Sequence, residues 1–155
     1  MRILMVCTGN TCRSPLAEVL MRARLQDTPS LADVTVASAG TSAWAGTPAS
    51  EGSYLIALER GLDLSAHRAT ALTAEMVEAA DLILTMGRSH AAAVAALGGA
   101  GKVHTLVDFA GRPTDMAAEV ADPIGGDVEA YRHTANVIDR LLELAVQRLV
   151  TERAG

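Results

Sequence analysis

The chain opens with a continuous apolar run, Ile3 to Val6, that stops at Cys7-Thr8-Gly9-Asn10-Thr11-Cys12-Arg13-Ser14-Pro15. A short uninterrupted run of this kind suits a central parallel strand covered on both faces. Parallel neighbours require a crossover, and the nine residues after the run begin one. Ser14 is placed to cap a helix, and Pro15 fits its first turn, where a missing N–H costs nothing. Strand, glycine-bearing loop and helix in this order restrict the chain to the α/β class.

The rest of the sequence repeats the alternation. Leu16, Val19, Leu20 and Ala23 recur at helical spacing as far as about Gln26, where Asp27-Thr28-Pro29-Ser30 breaks the pattern. Val34 to Ser38 is the second strand, followed by a loop from Gly40 to Pro48. Ser50 to Arg60 reads as a helix with Leu55 and Leu58 inward and Gly61 as its stop. Thr73 caps a short helix through Ala80, and Leu82 to Leu84 is the third strand. Arg88 to Leu97 is an alanine-rich helix ended by Gly98-Gly99-Ala100-Gly101, and Val103 to Val107 is a fourth strand. Asp108 to Gly126 is a connection long enough to be expected functional or disordered. Tyr131, Ala135, Ile138, Leu142, Ala145 and Leu149 then form one apolar stripe of a final helix. These elements predict a single three-layer domain over residues 1–155. Its four-stranded parallel sheet has the order 2-1-3-4, with helices on both faces. The ligand is expected beyond the carboxyl ends of the strands, where the loop after the first strand lies.

Charge and composition remove several functions. A net charge of −5 argues against a broad basic surface for nucleic acid or an anionic membrane. No apolar run approaches the ~20 residues that span a bilayer, and no secretion signal is visible at the N-terminus. Two cysteines do not make an extracellular disulfide framework, so a cytoplasmic setting is expected. The four histidines are scattered and no cysteine pair has ligand spacing, so neither a metal nor another cofactor is expected.

Cysteine, five residues, then arginine and a hydroxyl is the spacing of a loop that wraps one phosphate. The thiolate is the nucleophilic form of cysteine, and a helix N-terminus with a neighbouring cation is the setting that favours it. Cys7 has both in prospect, from the N–H groups of Thr8 to Arg13 and from the Arg13 guanidinium. The same donors suit a phosphate dianion. Gly9 permits close backbone approach, and Asn10 tolerates a left-handed backbone. Cys12 reads either as a small residue packed behind the loop or as a redox partner that protects Cys7 from over-oxidation. Attack on phosphorus also needs an acid for the leaving group and a base for water. Asp122, restricted by Pro123, is the candidate, and Asp108, Asp115 and Asp127 compete with it.

Cys7 to Pro15 resembles the signature of the low molecular weight protein tyrosine phosphatase family, and Asp122-Pro123 resembles that family's general acid. The likeness continues through Ser38-Ala39-Gly40-Thr41 and Ser65-Ala66-His67-Arg68 and covers nearly the whole chain. It implies Cys7 as nucleophile, Arg13 as phosphate ligand, and Asp122 as acid and then base. It implies a substrate cradle of Thr8, Gly9, Asn10, Thr11, Cys12 and Ser14, with Trp44 and Ile124 beside it. It also implies a supporting network of Asn10, Ser14, Ser38 and His67. Tyrosine-specific members usually carry an aromatic residue after the Asp-Pro and a bulky aliphatic at the position of Thr11. Here Ile124-Gly125-Gly126 and Thr11 stand instead. The Thr11 form resembles the bacterial protein arginine phosphatases of the family, although these carry Phe where this chain has Ile124. A hydroxyl suits a polar guanidinium better than a methyl packed on a phenyl ring would. Phosphoarginine in proteins is therefore the leading substrate, with phosphotyrosine as the alternative and Trp44 and Tyr131 as possible aromatic contacts. A phosphorylated protein is the expected partner, with no nucleic acid or membrane, and the chain is expected to be a monomer or weak dimer.

Other classes fit less well. Arsenate reduction on this scaffold needs further cysteines, and none follows Cys12. A non-catalytic phosphate-binding or redox-sensing module leaves Asp122-Pro123 without purpose. Nucleotide binding fails because the loop lacks Gly-Lys-Ser/Thr. Cys7→Ser is predicted to abolish hydrolysis of an aryl phosphate while inorganic phosphate still binds; persistent turnover in that variant would remove Cys7 as nucleophile.

Overall fold

The N-terminal run forms β1 (Arg2–Cys7), buried from Ile3 onward. In the computed structural model, which describes residues 1–155, it lies inside a four-stranded sheet. Its neighbours are β2 (Thr35–Gly40) and β3 (Leu82–Thr85), with β4 (Val103–Thr105) outside β3. Every pairing is parallel, and the order β2-β1-β3-β4 is the expected one. Cys7 pairs with Gly40, so β1 and β2 finish level at the edge where the phosphate-type loop begins.

Six helices complete the chain: α1 (Arg13–Gln26), α2 (Glu51–Glu59), α3 (Ala74–Ala79), α4 (Arg88–Val94), α5 (Leu106–Phe109) and α6 (Val128–Ala154). Alternation along β1 assigns the sheet faces. Ile3, Met5 and Cys7 enter a core of 30 buried residues built with α1, α2, α5 and α6. Leu4 and Val6 face the other way, into a cluster of 7 that includes Val77 of α3 and Val94 of α4. The larger cluster lies on the face toward which Cys7 points, so the base of the loop rests on the better-packed side. The α6 stripe is buried as expected, from Tyr131 through Leu149. Its cap is Asp127, whose carboxylate accepts the Ala130 N–H at 3.0 Å. Thr73 caps α3 in the same way, accepting from Met76.

Several local expectations are corrected. Leu55 and Leu58 do not face inward but are 38% and 47% exposed, while Ser53, Ile56 and Ala57 form the buried face of α2. The cause is close packing: a Cβ on Gly52 would lie 2.5 Å from the Tyr131 ring, so α2 meets α6 through small residues and turns its leucines out. The stretch Val103 to Val107 is not one strand. Thr105 accepts the Asp108 N–H at 3.1 Å and caps α5, which takes Leu106 and Val107 out of the sheet. Ser14 does not cap α1; it sits inside the first turn, after Cys12 and Arg13, and its hydroxyl is used elsewhere. The helix expected from Arg88 to Leu97 is α4 only to Val94. It continues as a wider turn, Ala95–Gly99, in which Gly98 takes a φ of 97°. β2 runs two residues past Ser38, to Gly40.

Ile138, fully buried on the α6 stripe, and Leu58, on the outer face of α2, make a paired test of these faces. Ile138→Ala is expected to cost about 2–5 kcal/mol in urea unfolding, against about 0.5 kcal/mol or less for Leu58→Ala. Equal losses would contradict the face assignment.

Candidate active site

The loop between β1 and α1 turns on Asn10, which is fully buried with a φ of 55°. Asparagine is among the few side-chain-bearing residues that adopt this conformation readily. Its amide holds the turn in place. Nδ2 donates to Ser14 Oγ at 2.8 Å and to Ser38 Oγ at 2.9 Å, and Oδ1 accepts the Thr70 N–H at 2.9 Å. The Asn10 carbonyl is held by His67 Nε2 at 2.7 Å. Thus Ser14, Ser38, His67 and Thr70, drawn from three separated stretches of sequence, converge on Asn10.

Each hydroxyl that accepts from Asn10 has its own hydrogen left to give. Ser38 donates it to Glu18 Oε1 at 2.6 Å. Ser14 lies 2.9 Å from Cys7 Sγ, placing an O–H donor on that sulfur. The hydroxyl is thus engaged with Cys7 and Asn10 from within the first turn of α1, two residues after the cap position Cys12.

The loop carbonyls are drawn outward. Cys7 O and Thr8 O accept the N–H groups of Thr41 and Ser42 at 2.9 Å each, and Thr11 O accepts that of Ser50 at 2.9 Å. Ser53 Oγ donates to Cys12 O at 3.1 Å. The backbone N–H groups of Thr8 to Cys12 make no hydrogen bond within the protein and remain available to an anion. The tight approach that makes this possible occurs at Gly40 rather than Gly9. A Cβ on Gly40 would lie 2.5 Å from Thr8 O and 2.9 Å from Asn10 N, whereas one on Gly9 would make only ordinary contact.

Arg13 closes the loop from the first turn of α1 and is itself buried. Nη1 donates to Val120 O at 3.0 Å, and Nη2 donates to Thr8 Oγ1 at 3.4 Å. Nη2 also lies 3.5 Å from Asp122 Oδ2. The connection after α5 therefore arrives with one carboxylate over the loop. Asp108 and Asp115 are paired with Arg112 and Arg140, and Asp127 caps α6, so Asp122 alone of the four competing carboxylates reaches Arg13. Asp122 Oδ1 accepts the Ile124 N–H at 3.1 Å, and Pro123 between them is buried.

Cys7, Thr8, Gly9, Thr11, Cys12, Arg13, Asp122 and Ile124 together line a cavity of about 120 Å³. Asn10 and Ser14 lie behind it as supports. Trp44 is 85% exposed on the loop after β2 and does not line this cavity, and Ile124 is 68% exposed at its rim. Tyr131 offers no aromatic face to the cavity. It belongs to the core, with its hydroxyl 3.6 Å from Cys12 Sγ. Burial and then the bond to Cys12 push this phenol up from its ordinary value, keeping its proton in place. Cys12 also contacts Ser50 Oγ at 3.4 Å, and both cysteines are free thiols.

Four participants carry no sequence signal that marks them: Glu18 behind Ser38, Val120 behind Arg13, and His90 and Glu119 beside the loop. His90 Nε2 lies 2.8 Å from Thr8 Oγ1, and Glu119 accepts the Arg88 N–H at the start of α4. Burial first, then Arg13, pushes His90 down from its ordinary value, with Glu119 and Asp122 opposing.

A family model described as low molecular weight phosphotyrosine protein phosphatase matches residues 2–154. The chain belongs to that family. The protein-arginine-phosphatase of Bacillus subtilis is 35% identical over 155 residues, covering 99% of each chain. The low molecular weight protein-tyrosine-phosphatase Etp of Escherichia coli is also 35% identical, over 147 residues, covering 95% of this chain and 93% of its own. A solved structure of the YwlE arginine phosphatase, carrying a phosphorylated active-site serine, superposes with a TM-score of 0.89 at 34% identity and covers 99% of both chains. Membership of this phosphatase family and the geometry around Cys7 agree on phosphate-ester or phosphoramidate cleavage as the class of chemistry.

Asp122→Ala is expected to lower kcat by about 10²–10⁴-fold on substrates with poor leaving groups. The loss should shrink on activated aryl phosphates, as a series of substituted phenyl phosphates would reveal. An equal loss across that series would point to another proton donor.

Proposed function

We propose that the protein hydrolyses phosphoarginine in proteins through an S-phosphocysteine on Cys7. The observation that carries this reading is the cavity itself, with a cysteine at its base, an arginine and an aspartate above it, and a threonine in place of an aliphatic wall. The Cys7 thiolate, held by the Ser14 hydroxyl, attacks phosphorus in line with the P–N bond. Asp122 donates its proton to the departing guanidine nitrogen as that bond breaks, and the phosphoryl group remains on sulfur. Asp122, now a carboxylate, takes a proton from water as the water attacks the same phosphorus. The S–P bond then breaks, releasing inorganic phosphate and restoring the thiolate. Arg13 and the loop N–H groups bind the equatorial oxygens, where charge is greatest in both steps.

Thr11 and the side chain after Pro123 bear on the choice of substrate. Thr11 lines the cavity beside Ile124, and neither supplies an aromatic plane for a phenyl ring. The arginine phosphatase of B. subtilis supports the phosphoarginine reading. The tyrosine reading draws on Etp of E. coli at the same identity, and Ile124 departs from both branches, which carry an aromatic residue there. In this proposal residues 1–155 work as one phosphatase domain on a phosphorylated protein in a reducing cytoplasm, and Cys12 stands ready to protect Cys7 from oxidation.

Phosphoarginine and phosphotyrosine peptides of the same flanking sequence should differ at least tenfold in kcat/KM, in favour of phosphoarginine. Thr11→Ile should narrow or invert that ratio. A large preference for phosphotyrosine in the unaltered protein would make it a tyrosine phosphatase with the same mechanism.

A further inference from the structure

His90 occupies the first turn of α4, the helix that follows β3, and β3 lies next to β1. The topology thus brings it beside the loop that leaves β1. It is only 5% exposed. Its Nε2 lies 2.8 Å from Thr8 Oγ1, while its Nδ1 is the one buried side-chain nitrogen or oxygen in the molecule without a hydrogen-bond partner.

Thr8 Oγ1 has one hydrogen to give and two lone pairs to receive with. Arg13 Nη2 donates to it at 3.4 Å, so one lone pair is used. The partner on the His90 side then decides where the hydroxyl hydrogen points. If Nε2 is the bare nitrogen, the hydrogen turns toward the ring, and Nδ1 becomes a buried N–H with no acceptor. If Nε2 carries the hydrogen, Thr8 Oγ1 is filled from both sides, its own hydrogen is free, and Nδ1 holds only an unmatched lone pair. A buried donor without an acceptor is the rarer and costlier defect. Glu119 does not relieve it: its Oε2 accepts the Arg88 N–H, and no bond runs from it to Nδ1. Both groups face the space above Gly87, where a Cβ would lie 2.5 Å from Glu119 Oε2 and 3.4 Å from His90 Nδ1. The charged groups around the ring are Arg13, Glu119 and Asp122. Burial and Arg13 prevail over the two carboxylates, so the imidazole is neutral near pH 7 and carries a single hydrogen.

We infer that His90 is a positioning residue for the phosphate loop: its Nε2–H donates to Thr8 Oγ1 and leaves the Thr8 hydroxyl hydrogen for a phosphate oxygen of the substrate. Thr8 lines the cavity and is exposed to it. The loop therefore presents a side-chain donor in addition to its backbone N–H groups and Arg13. The inference rests on the phosphatase reading for its substrate, but not for the tautomer that defines it.

Long-range ¹H–¹⁵N spectra at pH 7, with and without inorganic phosphate, read that tautomer directly. The Nε2–H form is expected in both, and the Nδ1–H form would overturn the inference. In kinetics on an aryl phosphate, His90→Ala is expected to lower kcat/KM about tenfold and to weaken inhibition by inorganic phosphate by a similar factor. His90→Gln, whose amide N–H can reach the same oxygen, should recover most of both. Thr8→Val should cost about as much as His90→Ala, and combining them should cost nothing further, since no hydroxyl remains to orient. Independent, additive losses in the double variant would overturn the inference, as would an unimpaired His90→Ala. Should His90→Ala fail to fold by circular dichroism, the tautomer and the Thr8→Val and His90→Gln pair still decide. Absence of turnover in the unaltered protein would instead remove the phosphatase reading, and the spectra and phosphate titration would still test His90.

Discussion

A left-handed turn at one buried asparagine is the constraint on which the site depends. Asn10 holds a φ of 55°, which asparagine tolerates, with its amide and carbonyl engaged by Ser14, Ser38, Thr70 and His67. Individually such bonds contribute on the order of 1 kcal/mol, but a buried amide deprived of them costs more than that. The network is therefore close to all-or-none. It also orders its own hydrogens: because Asn10 donates to both serines, Ser38 must pass its hydrogen to Glu18 and Ser14 to Cys7. Orientation at the sulfur is set by an amide on the far side of the loop.

Much of this architecture was readable from residue order because its signals are local. The runs at Ile3–Val6 and Leu82–Leu84 are continuous because parallel strands are covered on both faces, and the α6 stripe keeps helical period over six positions. The Cys7 to Ser14 spacing is local too. What was misread depends on distance. Nothing within Ser50 to Arg60 reveals that Tyr131 presses on Gly52, so the local sequence alone points to Leu55 and Leu58 as the inner face. Leu106 and Val107 are as apolar as strand residues, and only the Thr105 cap turns them into α5. His90, Glu18 and Val120 are ordinary residues in sequence that acquire meaning from partners far along the chain. The bond from Arg13 to Val120 spans 107 positions.

The division between chemistry and selectivity follows the same geometry. Cys7 and Arg13 are buried against the sheet and α1, whereas Thr11 is half-buried and the side chains of Ile124 and Trp44 are exposed. Relatives named for arginine and for tyrosine match this chain at equal identity, as expected if a common buried frame supplies bond cleavage and the rim supplies choice.

Val120 has a wider consequence. Its N–H donates to Met86 O and its carbonyl accepts from Arg13, while Asp115 is clamped by Arg140 and Glu119 by the start of α4. The segment that carries Asp122 is thus fastened to the sheet edge and to Arg13 in the protein alone. A swinging lid must be ordered anew in each catalytic cycle, and its opening can limit turnover. Here that ordering entropy is met once, during folding. The cost of this arrangement is reach: in the proposed reaction, a carboxylate fastened in this way would serve only those leaving groups whose atoms come to it.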